Sequence, residues 1–330
     1  MEGFLGARTL LAAGPDLGEL LAENARRASG DPTNFGEASA ALFAGTRVDL
    51  TWEDALKQAL EFEPDLIVGE WVDFVTPLLA AKFGVPWVAH SIGGPLPVEF
   101  VGAMRRRAEQ QHGRLSVVPR ERLALVDPFP DSLRLSTDTA PEADRVMIRP
   151  GGVAVSFAGR PSLPVPSRPA GTARVLLTMG TTVDDAALLS TLARAVAETG
   201  VDVLVTSEPE RLEAHERVHA IGFTPLDELL PEVDVVIGSA GSGTLLASLA
   251  AGVPSVLFPV LADQPLNAAR ASHRGVAEVL ADPAEAGAAV GRVLGDPAYR
   301  RAAKEVAAEI ATLPAPEKVL AELLSLGGLS

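Results

Sequence analysis

Ser239, Gly241, Ser242, Gly243 and Thr244 fall in one stretch, Asp234-Val235-Val236-Ile237-Gly238-Ser239-Ala240-Gly241-Ser242-Gly243-Thr244-Leu245, where an apolar run meets small and hydroxylated residues. A buried strand that opens through such a turn into a helix leaves backbone N–H groups unpaired at its carboxyl end, and together with the helix dipole they attract an anion. Gly241 and Gly243 let the backbone approach a phosphate with no side chain in the way, while Ser242 and Thr244 add hydroxyl donors. Each hydrogen bond to a charged group contributes about 1.5–3 kcal/mol, so a few of them hold a diphosphate. Tight turns favour Gly, Ser and Thr for structural reasons too, and the turn alone does not separate the two readings. What shifts the balance is Asp263-Gln264, after the next apolar segment and at the same rim, where adjacent carboxylate and amide groups suit sugar hydroxyls.

A second group of candidates lies earlier in the chain. Glu70 and Asp73 bracket Trp71 at the end of an apolar run, where a carboxylate can serve as general base or stand as a plain solvated loop residue. His90 ends the following run, just before Gly93-Gly94-Pro95, and reads either as a packed structural His or as an acceptor contact. His112, His215, His219 and His273 lie in helical or charged surroundings with no partner at ligand spacing, so no metal site is expected. The Arg105-Arg106-Arg107 run reads as the wet face of a helix.

The absence of Cys rules out disulfides, thiolate metal sites and a cysteine nucleophile. A formal net charge of -15 argues against binding to nucleic acid or an anionic membrane surface, though a small anion needs only a local positive potential. No run of membrane-spanning length free of charge or Pro is present, and the N-terminus lacks a basic segment followed by an apolar one. A cytoplasmic protein is the expectation, with a homodimer left open.

These residues need elements to position them. From Trp52 to His90 the pattern reads helix, strand (Asp65 to Gly69), helix ending at Phe83-Gly84, and strand (Val85 to Ala89). The second half repeats the rhythm: strand Ala173 to Thr178, helix Asp184 to Thr199, strands Asp202 to Thr206, Val218 to Ile221 and Asp234 to Ile237, a helix from Gly243, and strand Ser255 to Phe258. With 330 residues, two doubly wound parallel sheets are the simplest account. The proline-rich run around Arg160 to Pro169 reads as a linker. The expected division is 1–160 for an N-terminal domain, 161–172 for the linker and 173–313 for a C-terminal domain. Leu313-Pro314-Ala315-Pro316 then re-aims a final helix, 314–330, back to the first domain.

The segment from Val235 to Asn267 resembles the donor signature of family 1 glycosyltransferases, in particular bacterial enzymes that decorate polyketide and enediyne antibiotics. Thr178-Met179-Gly180-Thr181 matches that family's first C-terminal strand and its diphosphate-facing loop, and Gly222-Phe223-Thr224-Pro225-Leu226 matches the segment whose aromatic residue stacks on the nucleobase. The resemblance implies a two-domain GT-B fold, with Rossmann-like domains facing a cleft. Its donor is a UDP- or dTDP-sugar and its acceptor a hydrophobic aglycone, and its inverting transfer needs no metal and no cofactor beyond the sugar nucleotide. By the same resemblance Gly180, Thr181, Phe223, Thr224, Ser239, Gly241 to Thr244, Asp263 and Gln264 bind the donor, and Glu70, Asp73 and His90 are the catalytic candidates.

The sequence also departs from that pattern. Ser239 stands where the family usually has His, so the position brings one hydroxyl and no charge, and Leu226 replaces a Gln of some relatives. The family opens with a strand, a Gly-His loop and a long helix, to which nothing here corresponds; Arg8 to Gly14 reads as an inner strand, and no His precedes Trp52. Met1 is expected to fall inside the N-terminal domain, which would then be incomplete. A fragment, a short form acting as a non-catalytic partner of another glycosyltransferase, and an enzyme with Glu70 as substitute base all remain open. An epimerase of the same fold ranks below them, because no paired acid and base stand near Asp263.

Overall fold

The computed structural model describes residues 12–27, 35–151, 163–180, 183 and 185–329. The chain splits into two compact units. One comprises Phe129–Leu135 and Arg149–Leu313, and the other ends its main run at Pro128 and adds Ser136–Ile148 and Pro314–Ser330.

The N-terminal unit begins with α1 (Leu17–Arg27) and α2 (Phe35–Ala41), which passes through a π-helical turn at Leu42–Thr46 into α3 (Arg47–Phe62). It continues with β1 (Ile67–Glu70), α4 (Thr76–Phe83), β2 (Trp87–His90), α5 (Val98–Leu115), β3 (Ala124–Asp127) and β4 (Arg145–Met147). The four strands pair in chain order, β1-β2-β3-β4, all parallel. Helix α3 stops because Glu63 turns left-handed at φ 52° and Pro64 cannot continue it. Gly69 is required by close packing: a Cβ there would lie 2.2 Å from Thr76 Oγ1, where α4 crosses β1.

The C-terminal unit contains β5 (Arg174–Thr178), α6 (Ala186–Ala197), β6 (Asp202–Val205), β7 (Val218–Ala220), α7 (Leu226–Leu229), β8 (Val235–Gly238), α8 (Ser242–Ala250), β9 (Ser255–Leu257), α9 (Gln264–His273), β10 (Ala277–Val279), α10 (Ala286–Gly295) and α11 (Pro297–Thr312). Its parallel sheet runs β10-β9-β8-β5-β6-β7. Alternate residues serve two cores. Val175, Leu177, Val203, Val205, Val235 and Ile237 join one cluster, and Leu176, Leu204 and Val236 join another. Burial on both faces is why these strands read as unbroken apolar runs. The chain moves outward from β5 through β6 and β7, then returns to place β8 on the other side of β5. Strand order therefore reverses between β5 and β8, and in an open α/β sheet such a reversal opens a ligand crevice at the carboxyl ends.

Helix α12 (Pro316–Leu326) packs in the N-terminal unit, with Val319 and Leu323 in the cluster of Val88, Ala124 and Val126. Two boundaries differ from the sequence expectation. Phe129–Leu135 belongs to the C-terminal unit because Phe129 and Leu133 bury fully against Leu245, Leu249, Ala271 and Ile310. In the expected linker, Leu163 N donates to Ile221 O at 3.0 Å and Arg174 donates to Pro166 O at 3.0 Å, so residues 163–172 are fastened to the C-terminal unit. Of the strand expected over Arg8 to Gly14, residues 8–11 lie outside the described residues and Ala12 to Gly14 form no strand.

Candidate active site

A convergence of polar groups joins the exits of β8 and β9. Beyond Gly238 the chain passes through Ser239, then Ala240 in the left-handed region at φ 64°, then Gly241, which opens α8 with no side-chain cap. The first-turn amides of α8 therefore lack a capping acceptor, the condition under which a helix N-terminus receives an anion. Ser242 Oγ donates to Asp263 Oδ2 at 2.9 Å, and Asp263 Oδ1 has no partner among the described residues. Ala262, next to Asp263, is also left-handed at φ 55°. A non-glycine residue held there costs about 1–3 kcal/mol, and such strain clusters at ligand sites.

Three expected donor contacts already have partners within the protein. The buried Ser239 hydroxyl donates to Met179 O at 3.3 Å, which pins the exit of β8 to that of β5. Thr224 Oγ1 donates to Ile221 O at 2.9 Å. Gln264 turns inward, where its Oε1 accepts from Val260 N at 2.9 Å and Leu261 N at 3.0 Å and so shapes the loop that carries Asp263. Gly243 is exposed, and a Cβ there would meet nothing within 4 Å. Thr244 is half-buried in the first turn of α8.

Gly180 follows β5 at φ 72° and is exposed, and Thr181 lies outside the described residues. At the exit of β6, Thr206 Oγ1 donates to Thr178 Oγ1 at 2.8 Å, tying that rim to β5. Phe223 is half-buried just past β7, where Gly222 turns left-handed at φ 62°.

In the N-terminal unit, Glu70 and His90 are register partners at the carboxyl ends of β1 and β2, and Trp71 N donates to His90 O at 3.0 Å. Glu70 Oε2 accepts from Val72 N at 3.1 Å, while its buried Oε1 has no hydrogen-bond partner among the described residues. Burial, aided by the nearby Asp73 charge and opposed by the Val72 amide, pushes the Glu70 carboxyl up to about 7. Burial also lowers the pKa of His90, which favours its neutral ring. Asp73 is bound locally: Oδ1 accepts from Val75 N at 3.1 Å and Oδ2 from the Thr76 hydroxyl at 2.7 Å, so it shapes the entry to α4.

Asn267 is a site residue that the sequence reading did not single out. It sits one helical turn beyond Asp263, fully buried, and its Nδ2 lies 2.7 Å from Asp263 Oδ2, 3.0 Å from Ser242 Oγ and 3.1 Å from Ala240 O. The spacing from 263 to 267 was the available signal, since residues four apart share one helix face. Among the described residues no group of three His, Asp or Glu side chains could hold a metal ion, and no helix is long and apolar enough to cross a membrane.

Residues 39–156 match the N-terminal domain, and residues 186–326 the C-terminal domain, of the family described as Erythromycin biosynthesis protein CIII-like. The chain is 32% identical over 289 residues to the elloramycin glycosyltransferase of Streptomyces olivaceus, spanning 84% of this chain and 72% of that protein. It is 31% identical over 276 residues to the L-demethylnoviosyl transferase of Streptomyces niveus, spanning 78% of this chain and 70% of that one. Among solved structures, a glycosyltransferase of Streptomyces sp. SF2575 complexed with thymidine diphosphate superimposes with a TM-score of 0.76 at 28% identity, covering 90% of this chain and 80% of that one. The fold, with its two parallel α/β units, is that of the GT-B glycosyltransferases. The chain belongs to the Erythromycin biosynthesis protein CIII-like family and is a glycosyltransferase of the antibiotic-biosynthesis type.

Proposed function

We propose that this glycosyltransferase moves a sugar from a dTDP- or UDP-sugar to a hydroxyl of a hydrophobic natural-product aglycone, with inversion and without a metal ion. The observation that carries the reading is the Ser242–Asp263 hydrogen bond, which puts an uncapped helix N-terminus and a carboxylate with one free oxygen on the same rim. The amides of α8 receive the diphosphate and stabilise the charge that develops as it leaves. Asp263 Oδ1 accepts from sugar hydroxyls, and Phe223 stacks on the base. The solved relative with thymidine diphosphate supports a thymidine nucleotide as the first ligand to try.

On the acceptor side, Glu70 takes the hydroxyl proton. A general base is most effective with a pKa near the working pH, and the unpartnered Oε1 is the atom available for the proton. His90, its register neighbour, lines the same strand ends. Exposed Ile92 and Val98, on the segment that follows β2, offer apolar surface for an aglycone. Isothermal titration with dTDP and with UDP tests the donor half. Saturable binding of at least one supports the reading, and heat indistinguishable from dilution for both at millimolar ligand overturns it.

A further inference from the structure

The Asn267 amide contacts three groups from two loops, and chemistry fixes its orientation. Ala240 O is a carbonyl and accepts only, so the atom facing it and Asp263 Oδ2 must be the nitrogen. That choice leaves Asn267 Oδ1 buried with no partner among the described residues. Buried polar atoms without partners are uncommon in folded proteins, and one retained at a convergence of loops marks a position held for more than packing. The groups it holds are the carbonyl of left-handed Ala240, the hydroxyl at the start of α8, and one oxygen of the Asp263 carboxylate. With Ser242 Oγ also donating to Oδ2, that oxygen is fully engaged and the carboxylate is locked in one rotamer.

We propose that Asn267 is the positioning residue of the donor site, joining the turn that receives the diphosphate to the carboxylate that receives the sugar so that both act as one rigid receptor. This rests on the donor reading above. Without Asn267 the two loops still form, but Asp263 Oδ2 keeps only the Ser242 hydroxyl as donor, and its Oδ1 no longer meets the sugar at a set distance from the diphosphate.

The test measures dissociation constants for dTDP and dTDP-glucose with the full chain and takes their ratio, which reports the sugar's share of binding. Asp263→Ala sets the value of that ratio without the carboxylate. Asn267→Ala is expected to lower the ratio about tenfold, to the same value, and the double variant to lower it no further. Asn267→Leu, which keeps roughly the volume and removes both N–H donors, serves if the alanine variant does not fold, with the same expectation. A ratio unchanged in both Asn267 variants, whatever their melting temperatures, shows a structural brace only and overturns the proposal. A native ratio near one removes the sugar grip and the proposal with it. Failure of the native chain to bind either compound instead overturns the donor reading itself.

Discussion

Ser242 Oγ and Asp263 Oδ2 are 2.9 Å apart, so the first residue of α8 and the residue before α9 are joined by side chains as well as by the sheet beneath them. The two loops arise from adjacent parallel strands, β8 and β9, whose register pairs Gly238 with Leu257. Parallel pairing sends both chains out at the same edge, and the hydrogen bond then fixes how far apart their functional groups stand. On the donor reading proposed above, this bond converts the turn that receives the diphosphate into part of a receptor of defined length.

Gly243→Ala should separate binding from stability. A Cβ at this position meets no atom within 4 Å, and alanine favours a helix over glycine by up to about 1 kcal/mol, so the variant should melt at or above the native temperature. If the amide of residue 243 faces the diphosphate, the added methyl stands in its approach and dTDP affinity falls about tenfold or more. Thermal melting and titration on the same preparation check both halves, and unchanged affinity would place the diphosphate elsewhere.

Asp73→Ala is expected to act on stability. Both carboxylate oxygens hold the turn that leads into α4, and loss of such hydrogen bonds costs about 1 kcal/mol. Denaturant unfolding should show that loss, with dTDP affinity within about twofold of native, a difference too small to implicate the residue in donor binding.

Much of the fold could be read along the chain because its strands are buried on both faces. The runs at Val175–Leu177 and Val235–Ile237 are apolar at every residue, and the small residues after them mark where each strand ends. Partners contributed from distant sequence were harder to see. Phe129 and Leu133 read as part of the first domain until their burial beside Leu245 and Ile310 assigns them to the second. Gln264 reads naturally as a second sugar ligand beside Asp263, yet two loop amides at Val260 and Leu261 need an acceptor and take its side-chain oxygen. Ser239 likewise donates to a carbonyl on β5's exit loop, and residues 179 and 239 are far apart in sequence. Local chemistry points to the rim as the candidate site, whereas the choice of which polar groups stay available is made by backbone groups that the sequence does not display.

Phe223 tests the nucleobase end of the donor reading. Stacking of a base on an aromatic ring contributes about 1–3 kcal/mol, so Phe223→Ala should weaken dTDP binding by about tenfold or more. Phe223→Trp presents a larger face at the same half-buried position and should bind as tightly as the native chain or tighter. Equal loss in both variants would show that position 223 contributes packing alone.

Glu70 makes a prediction about pH. Only the carboxylate form accepts a proton, and with its pKa pushed up to about 7 the active fraction grows as pH rises through neutrality. Release of dTDP from dTDP-glucose, to water or to an alcohol acceptor, should therefore increase across that window and level off above it. Glu70→Gln should lower turnover by about a hundredfold or more and flatten the profile, with dTDP affinity unchanged. Stability runs in the opposite direction. Because the folded pKa lies above the ordinary glutamate value of 4.5, the folded state holds the proton more tightly than the unfolded chain. The associated stabilisation is complete below the lower value and is lost as pH climbs through the upper one. Thermal melts of native and Glu70→Gln protein at about pH 5 and about pH 8 should show the variant gaining on the native chain at the higher pH. A native turnover profile that stays flat through neutrality would remove Glu70 from the proton transfer, and with it the only acceptor-side base among the residues at the ends of β1 and β2 whose carboxylate retains an unpartnered oxygen.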